Sequence, residues 1–95
     1  MPYDGSPPDD AIDLGHGHFA AFYNQQDGHD GPAGIIEHHR TPQGTWCSGR
    51  VPFRRTGPGP LWTANSLDPL DLSPSIDCRA CGEHGHIRSG RWVPC

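Results

Sequence analysis

The chain has 95 residues and a mass of 10.3 kDa, which suffices for one small domain. It contains 13 Gly and 11 Pro, and only 33% of its residues are hydrophobic, so its core must be small. Such a core rarely stabilises a fold by itself, and we expect a metal ion, disulfides or a partner chain to support it. The net charge of −4 argues against a nucleic-acid-binding protein, and no apolar run is long enough to span a membrane.

The N-terminal segment, residues 1–13, is expected to be a flexible acidic arm because it is rich in Pro, Asp and Gly. It lacks the basic start and the apolar stretch of a secretory signal. We therefore expect the chain to stay in a reducing cytoplasm, where cysteines are thiols or metal ligands more often than disulfides.

The remainder, residues 14–95, is expected to form a single small domain that is mostly β, with five or six short antiparallel strands. No segment shows a convincing helical period. A Thr-Pro-Gln-Gly turn at residues 41–44 predicts a hairpin, and the proline-punctuated segment 68–75 predicts an extended connector. The candidate strands are residues 16–23, 34–40, 45–53, 61–65 and the two halves of a C-terminal hairpin.

The C-terminal hairpin has a predictable register. Ser89 and Gly90 are typical of a two-residue hairpin loop, which places Ile87 opposite Trp92 and His84 opposite Cys95. Because side chains alternate along a strand, Ile87 and Trp92 share the face expected to cover the core.

The cysteines predict a metal site within a knuckle hairpin at residues 78–95. Cys78 and Cys81 have the spacing of a zinc knuckle, and Gly82 permits the left-handed backbone of such a turn. His84 follows Cys81 closely in the sequence. Cys47 is distant in the sequence, and as a ligand it would connect the hairpin that turns at residues 41–44 to the C-terminal hairpin. We expect a structural Zn²⁺ ion bound by Cys47, Cys78, Cys81 and His84, with Cys95 and His86 as alternates.

Two identical His-Gly-His triplets suggest an alternative site of a catalytic kind. His16 and His18, and likewise His84 and His86, would each lie on one face of a strand. Four such imidazoles could hold a metal ion with open positions, as metal-dependent enzymes require. The triplets lack a carboxylate at a known spacing such as His-Glu-x-x-His.

The middle segment of the chain is modestly basic and is a candidate interaction surface. Residues 40–67 contain no acidic residue, and Arg50, Arg54 and Arg55 cluster within them. The alternatives are a solvated face, or a contact with the acidic N-terminal third of the chain.

The last third of the chain carries a Ser-Pro-Ser segment followed by Cys-x-x-Cys-x-x-His and a turn with Gly. The residues of this pattern are Pro69, Ser73, Pro74, Ser75, Cys78, Cys81, His84 and Gly90. This stretch resembles a small uncharacterised family of Cys/His-containing proteins from actinobacteria and their tailed phages. The resemblance implies a phage or prophage origin and brings no activity with it.

These observations favour a non-catalytic, zinc-stabilised structural or interaction module of a phage or prophage, in the tail or head of a virion. The expected partners are other phage structural proteins or further copies of the chain, with neither a membrane nor a nucleic acid among them. The expected location is the virion, or the bacterial host cytoplasm for a protein that is not structural. The alternatives are a small metal-dependent enzyme that uses the His pairs, and a phage regulator that binds a host protein.

Overall fold

The computed structural model describes residues 4–23, 31–54, 59–78 and 81–95. These residues form nine strands in three antiparallel sheets and contain no helix, which confirms the mostly β prediction. None of their elements is therefore a helix able to cross a membrane. The strands are β1 (Ile12–Gly15), β2 (His18–Tyr23), β3 (Gly34–Arg40), β4 (Trp46–Pro52), β5 (Thr63–Leu67), β6 (Leu70–Ser73), β7 (Ile76–Asp77), β8 (His84–Arg88) and β9 (Arg91–Pro94).

The largest sheet has four strands in the order β1-β2-β3-β4, so each strand pairs with its neighbour in the chain. The predicted hairpin of β3 and β4 is present, with Gly34 opposite Pro52 and Arg40 opposite Trp46. At its turn, the amide of Gly44 donates to the carbonyl of Thr41 over 2.9 Å. Gly44 has a φ of +88°, a conformation that side-chain-bearing residues rarely adopt.

The C-terminal hairpin of β8 and β9 has the predicted register. Ile87 lies opposite Trp92, and both are buried, with exposures of 0% and 2%. Ser89 and Gly90 have φ values of 49° and 77°, and two left-handed residues in succession are typical of the tight hairpin turn that matches strand twist. With β7, this hairpin forms a sheet of order β7-β8-β9.

The connector expected at residues 68–75 is instead the second half of another hairpin. Within it, β6 pairs with β5 to form the two-stranded sheet. Leu70 and Leu72 are both 2% exposed and alternate with the polar Asp71 and Ser73, which is the period of a strand. The proline content of the segment hid this alternation.

The N-terminal arm contributes to the fold over part of its length. Ile12 and Asp13 belong to β1. Gly5 is buried, and the His38 Nδ1 atom donates to its carbonyl oxygen over 2.7 Å. Residues 1–3 of the arm lie outside the described residues.

The three sheets meet at one small apolar core. Strand β6 packs beside β8, and β1 packs beside β9. Each strand except β5 contributes to this core at least one of its buried residues, which are Leu14, Ala20, Ile35, Val51, Leu70, Leu72, Ile76, Ile87 and Trp92. At one end of the core the inward-facing side chains of the four-stranded sheet are ionisable rather than apolar.

Candidate active site and metal centre

The polar end of the core follows from the register of β2, β3 and β4. On β3, Ile35, Glu37 and His39 face the core because side chains alternate. His39 lies opposite His18 on β2 and Cys47 on β4, whereas Glu37 lies between the small residues Ala20 and Gly49. One row across the sheet therefore carries two imidazoles and a thiol, and the next row leaves space around a carboxylate.

We call His18, Glu37 and His39 the His–Glu cluster. Their exposures are 1%, 4% and 3%, so the polar atoms of Glu37 need hydrogen-bond partners inside the protein. His18 Nδ1 lies 2.7 Å from Glu37 Oε2, and His39 Nδ1 lies 2.8 Å from Glu37 Oε1. Two imidazoles thus donate to one buried carboxylate, which leaves Nε2 of His39 free to act as a ligand.

His18 also connects this cluster to the start of β8. Its Nε2 atom lies 3.1 Å from Oε1 of Glu83, the residue before His84. Its ring stacks on Trp92, with centroids 3.8 Å apart and planes inclined by 8°. His18 is therefore held from three sides, by Glu37, Glu83 and the Trp92 ring.

A second group, the thiol cluster, consists of His39, Cys47, Cys78 and Cys81. Their ligand atoms lie within 4.8 Å of one another, and His39 Nε2 is 3.0 Å from the Cys81 sulfur. Two backbone hydrogen bonds hold the ends of the loop between β7 and β8 together. The Gly82 amide donates to the Cys78 carbonyl over 2.7 Å, and the Cys78 amide donates to the Glu83 carbonyl over 2.8 Å. Three thiols and an imidazole are a ligand set for a tetrahedral metal ion.

The electrostatics of the thiol cluster favour a cation. Burial, together with the neighbouring Cys78 and Cys81 thiols, raises the pKa of Cys47 to about 11. Burial also raises the pKa of Cys81. Because several thiolates repel one another at this distance, only a bound cation allows all of them to ionise near neutral pH.

The structure thus brings together three of the ligands expected from the sequence, Cys47, Cys78 and Cys81, and places His39 beside them. His84 lies against Ser75 instead, Cys95 is exposed, and His86 is half-buried on β8. A signal for His39 was available, because a hairpin turning at residues 41–44 places residue 39 opposite residue 47.

Ser75 and His84 form a direct hydrogen bond that the sequence analysis did not foresee. His84 Nε2 lies 2.9 Å from Ser75 Oγ, although the residues are 9 positions apart. Ser75 precedes β7 and His84 begins β8, and the pairing of these strands sets Asp77 opposite His84. The indole Nε1 of Trp62 donates to the Ser75 carbonyl over 3.2 Å. A serine hydroxyl bonded to an imidazole is the arrangement of an activated nucleophile.

The remaining candidate residues are dispersed. The Arg50 guanidinium lies 5.1 Å from the Tyr23 ring centroid, and Arg54 donates to the carbonyl of Pro32, while Arg55 lies outside the described residues. His16 is exposed at the turn before β2, whereas His18 is buried, so these two imidazoles do not share one face.

Comparison with known proteins adds one finding. The model of the family BubE, described as the serine protease of a bacterial ubiquitination-like system, matches residues 19–95. Comparisons with curated proteins and with solved structures give no significant match. Since the match covers most of the chain, the chain belongs to the BubE family.

This family membership corrects the functional expectations. A non-catalytic structural module of a phage or virion was wrong, because the family is one of serine proteases. The expectation that the chain is not an enzyme was wrong for the same reason. Phage structural proteins as partners were wrong too, since the family belongs to a bacterial ubiquitination-like system.

Proposed function

We propose that this chain is a serine peptidase of a bacterial ubiquitination-like system, with Ser75 as its nucleophile and His84 as its general base. The observation that carries the proposal is the 2.9 Å contact between Ser75 Oγ and His84 Nε2. Family membership supplies the class of reaction, and this contact supplies the residues.

The geometry supports the two steps of acyl transfer. His84 Nε2 takes the proton of the Ser75 hydroxyl as Oγ attacks the carbonyl carbon of the substrate. The imidazolium then gives that proton to the departing amine, and an ester to Ser75 remains. The same imidazole then deprotonates a water molecule that attacks the ester carbonyl carbon. As the bond from that carbon to Oγ breaks, the imidazolium returns the proton to Oγ, which releases the carboxylic acid product and restores the Ser75 hydroxyl. Asp77 pairs with His84 across the two strands, and we assign its carboxylate the role of stabilising the imidazolium.

We further propose that the thiol cluster binds a structural Zn²⁺ ion through Cys47, Cys78, Cys81 and His39. This donor set fits zinc, and such closed four-ligand sites are structural rather than catalytic. Glu37 would hold His39 in the tautomer that presents Nε2 to the metal. Since Cys78 and Cys81 lie between Ser75 and His84 in the chain, the metal fixes the loop that joins nucleophile and base.

A fluorophosphonate probe tests the catalytic pair without knowledge of the natural substrate. We expect the probe to label Ser75, and mass spectrometry of the digested protein to locate the adduct there. The Ser75→Ala variant should lose the label, and His84→Ala should slow labelling by at least about a hundredfold, the usual contribution of a general base.

Ser73→Ala is the matched control, because Ser73 lies on the same segment and its hydroxyl contacts Asn65 rather than a histidine. Its labelling rate should stay close to that of the unaltered protein. An unlabelled protein, or a label on a serine other than Ser75, would contradict the proposed nucleophile.

A further inference from the structure

A small cavity lies beside the proposed nucleophile, between the outer strands β4 and β7. Its volume is about 90 Å³. The row of Ala20, Glu37 and Gly49 explains its existence, because Gly49 contributes no side chain where the sheet faces inward. Among the described residues, none has an atom within 4 Å of the place where a Cβ on Gly49 would lie.

The cavity reaches the catalytic segment through shared residues. Ile76 and Asp77, which directly follow Ser75, form one wall. Trp62 forms another part of the wall and donates its indole proton to the Ser75 carbonyl. In an ester to Ser75 the substrate carbonyl is bonded to Oγ, and the next side chain of the substrate begins one atom beyond it. That side chain is the part of a substrate closest to Ser75, and the two residues that follow Ser75 line the cavity.

The residues that line the cavity determine which kind of substrate side chain can bind in it. Val51, Trp62 and Ile76 offer apolar surface. The carboxylate of Glu37 also lines the cavity, but both of its oxygens already accept from imidazoles at 2.7–2.8 Å, so it offers a substrate cation little. Ser48, Arg50 and Asp77 line the cavity as well, but most of its surface is apolar. An aliphatic side chain therefore gains apolar contacts over most of this surface.

The volume sets an upper limit on size. A cavity of about 150 Å³ holds benzene, and one water occupies about 30 Å³. A space of about 90 Å³ therefore suits a branched aliphatic group better than an aromatic ring.

We propose that this cavity is the specificity pocket of the peptidase and takes an aliphatic side chain, no larger than Leu, from the residue that precedes the cleaved bond. The inference rests on the proposed function for its position in the reaction. The pocket itself is an attribute of the fold and can be tested separately.

The kinetic test uses Ala-Ala-Pro-X coumarin amides in which X is Ala, Leu, Phe or Lys. We expect cleavage after Leu to exceed cleavage after Phe or Lys. In Gly49→Val the new side chain fills the pocket, and the ratio of kcat/KM for Leu to that for Ala should fall at least about tenfold, since each lost methylene contact is worth about tenfold or more. A ratio is used because a disturbed Ser75–His84 pair lowers both rates together and leaves the ratio unchanged.

Ala21→Val is the matched control, since it adds the same atoms to the same sheet on β2, where Ala21 alternates with the core-facing Ala20 and Phe22. Its Leu-to-Ala ratio should equal that of the unaltered protein. An unchanged ratio in Gly49→Val, or equal cleavage after Lys and Leu, overturns the proposal.

A binding test distinguishes failure of the pocket from failure of the peptidase. N-acetyl-leucinamide should shift the NMR signals of the Trp62 indole and the Ile76 methyls, and N-acetyl-lysinamide should not. These shifts should vanish in Gly49→Val and persist in Ala21→Val. Shifts without fluorophosphonate labelling would reject the peptidase and retain the pocket, whereas labelling without shifts would reject the pocket.

Discussion

At the scale of single residues, Glu37 shows how one buried charge organises two sites. Its neighbours across the sheet are Ala20 and Gly49, and their small size leaves room for a carboxylate inside the core. It accepts from His39, which belongs to the thiol cluster, and from His18, which reaches Glu83 beside the proposed base. The carboxylate therefore sets the ring orientation on both sides.

Glu37→Gln tests this role. A glutamine presents an NH₂ group where two imidazole protons already point, so one buried donor must lose its acceptor. We expect the free energy of unfolding to fall by about 3 kcal/mol, the usual loss when a buried charged bond is broken. Zinc affinity should fall about 10- to 100-fold because His39 loses its orienting partner. Urea unfolding and competition with a chromophoric chelator measure the two quantities.

Glu83→Gln is the control for that experiment, because Glu83 contacts the same His18 ring at 3.1 Å but its side chain is 47% exposed. Water can replace the lost interaction there, so the change in stability should stay below about 1 kcal/mol. Equal losses in both variants would contradict an organising role for Glu37.

At the scale of elements, Gly85 on β8 ties the core to the proposed base. A Cβ at this position would lie 2.6 Å from the Trp92 indole and 2.8 Å from the Val93 carbonyl. From the sequence, His84-Gly85-His86 suggested a pair of metal ligands. In the structure its glycine is required because the bulky Trp92 indole packs over the strand. The histidines on either side are positioned by that contact.

Gly85→Ala should therefore displace Trp92 or β8. We expect a loss of about 2–3 kcal/mol in the free energy of unfolding, as overpacking usually costs. Labelling of Ser75 should slow as well, since His84 is the neighbouring residue. Gly49→Ala is the control for stability, because its Cβ meets open space and should change stability by less than about 1 kcal/mol. Thermal melts measure the stability of both variants. An unchanged melting temperature in Gly85→Ala would contradict the close packing of Trp92 against Gly85.

Local patterns explain which elements were predictable from the sequence. The turns at residues 41–44 and 89–90 have a strong chemical signature, so both hairpins were predicted correctly, and so was the register of the second one. Strand β6 was not predicted, because Pro69 and Pro74 obscure its alternation of apolar and polar residues. Contacts with distant parts of the chain hold it in place, and no local pattern reveals them. Those contacts include a bond from the Gly90 amide to the Leu70 carbonyl, at 2.7 Å.

The candidate site was less predictable for the same reason. The Cys-x-x-Cys spacing makes Cys78 and Cys81 recognisable as metal ligands in the sequence. His39 and Cys47 become neighbours only through the register of the sheet. The Ser75–His84 pair depends on β7, a strand of 2 residues that is too short for a periodic signal. The Ser-Pro-Ser resemblance covers the segment of Ser75 but implied no chemistry for it.

At the scale of the whole molecule, the thiol cluster joins separate sheets. His39 and Cys47 belong to the four-stranded sheet, while Cys78 and Cys81 lie in the loop between β7 and β8 of the three-stranded sheet. A metal ion bound there crosslinks the two sheets, and this is the support that so small a core requires. One zinc per chain in native mass spectrometry is the expected stoichiometry.

The pH dependence of stability should distinguish the metal-bound protein from the metal-free protein by its sign. Without metal, the folded state raises the pKa of Cys47 from 9.0 to about 11, so the unfolded state binds fewer protons between these values. Stability then falls as the pH rises from about 9 to 11. With zinc bound, the folded thiols hold no protons while unfolded thiols remain protonated below about pH 8.5, so stability rises with pH up to that value.

Urea unfolding from pH 5 to 11, with and without a chelator, measures both slopes. We expect chelation to lower the melting temperature and to slow labelling of Ser75, because the loop between Ser75 and His84 loses its crosslink. The Cys95→Ser variant is the control, since Cys95 is exposed and lies outside the thiol cluster. Its profile should match that of the unaltered protein. The same slope with and without the chelator would show that the thiol cluster holds no metal, and the crosslink would have to be abandoned.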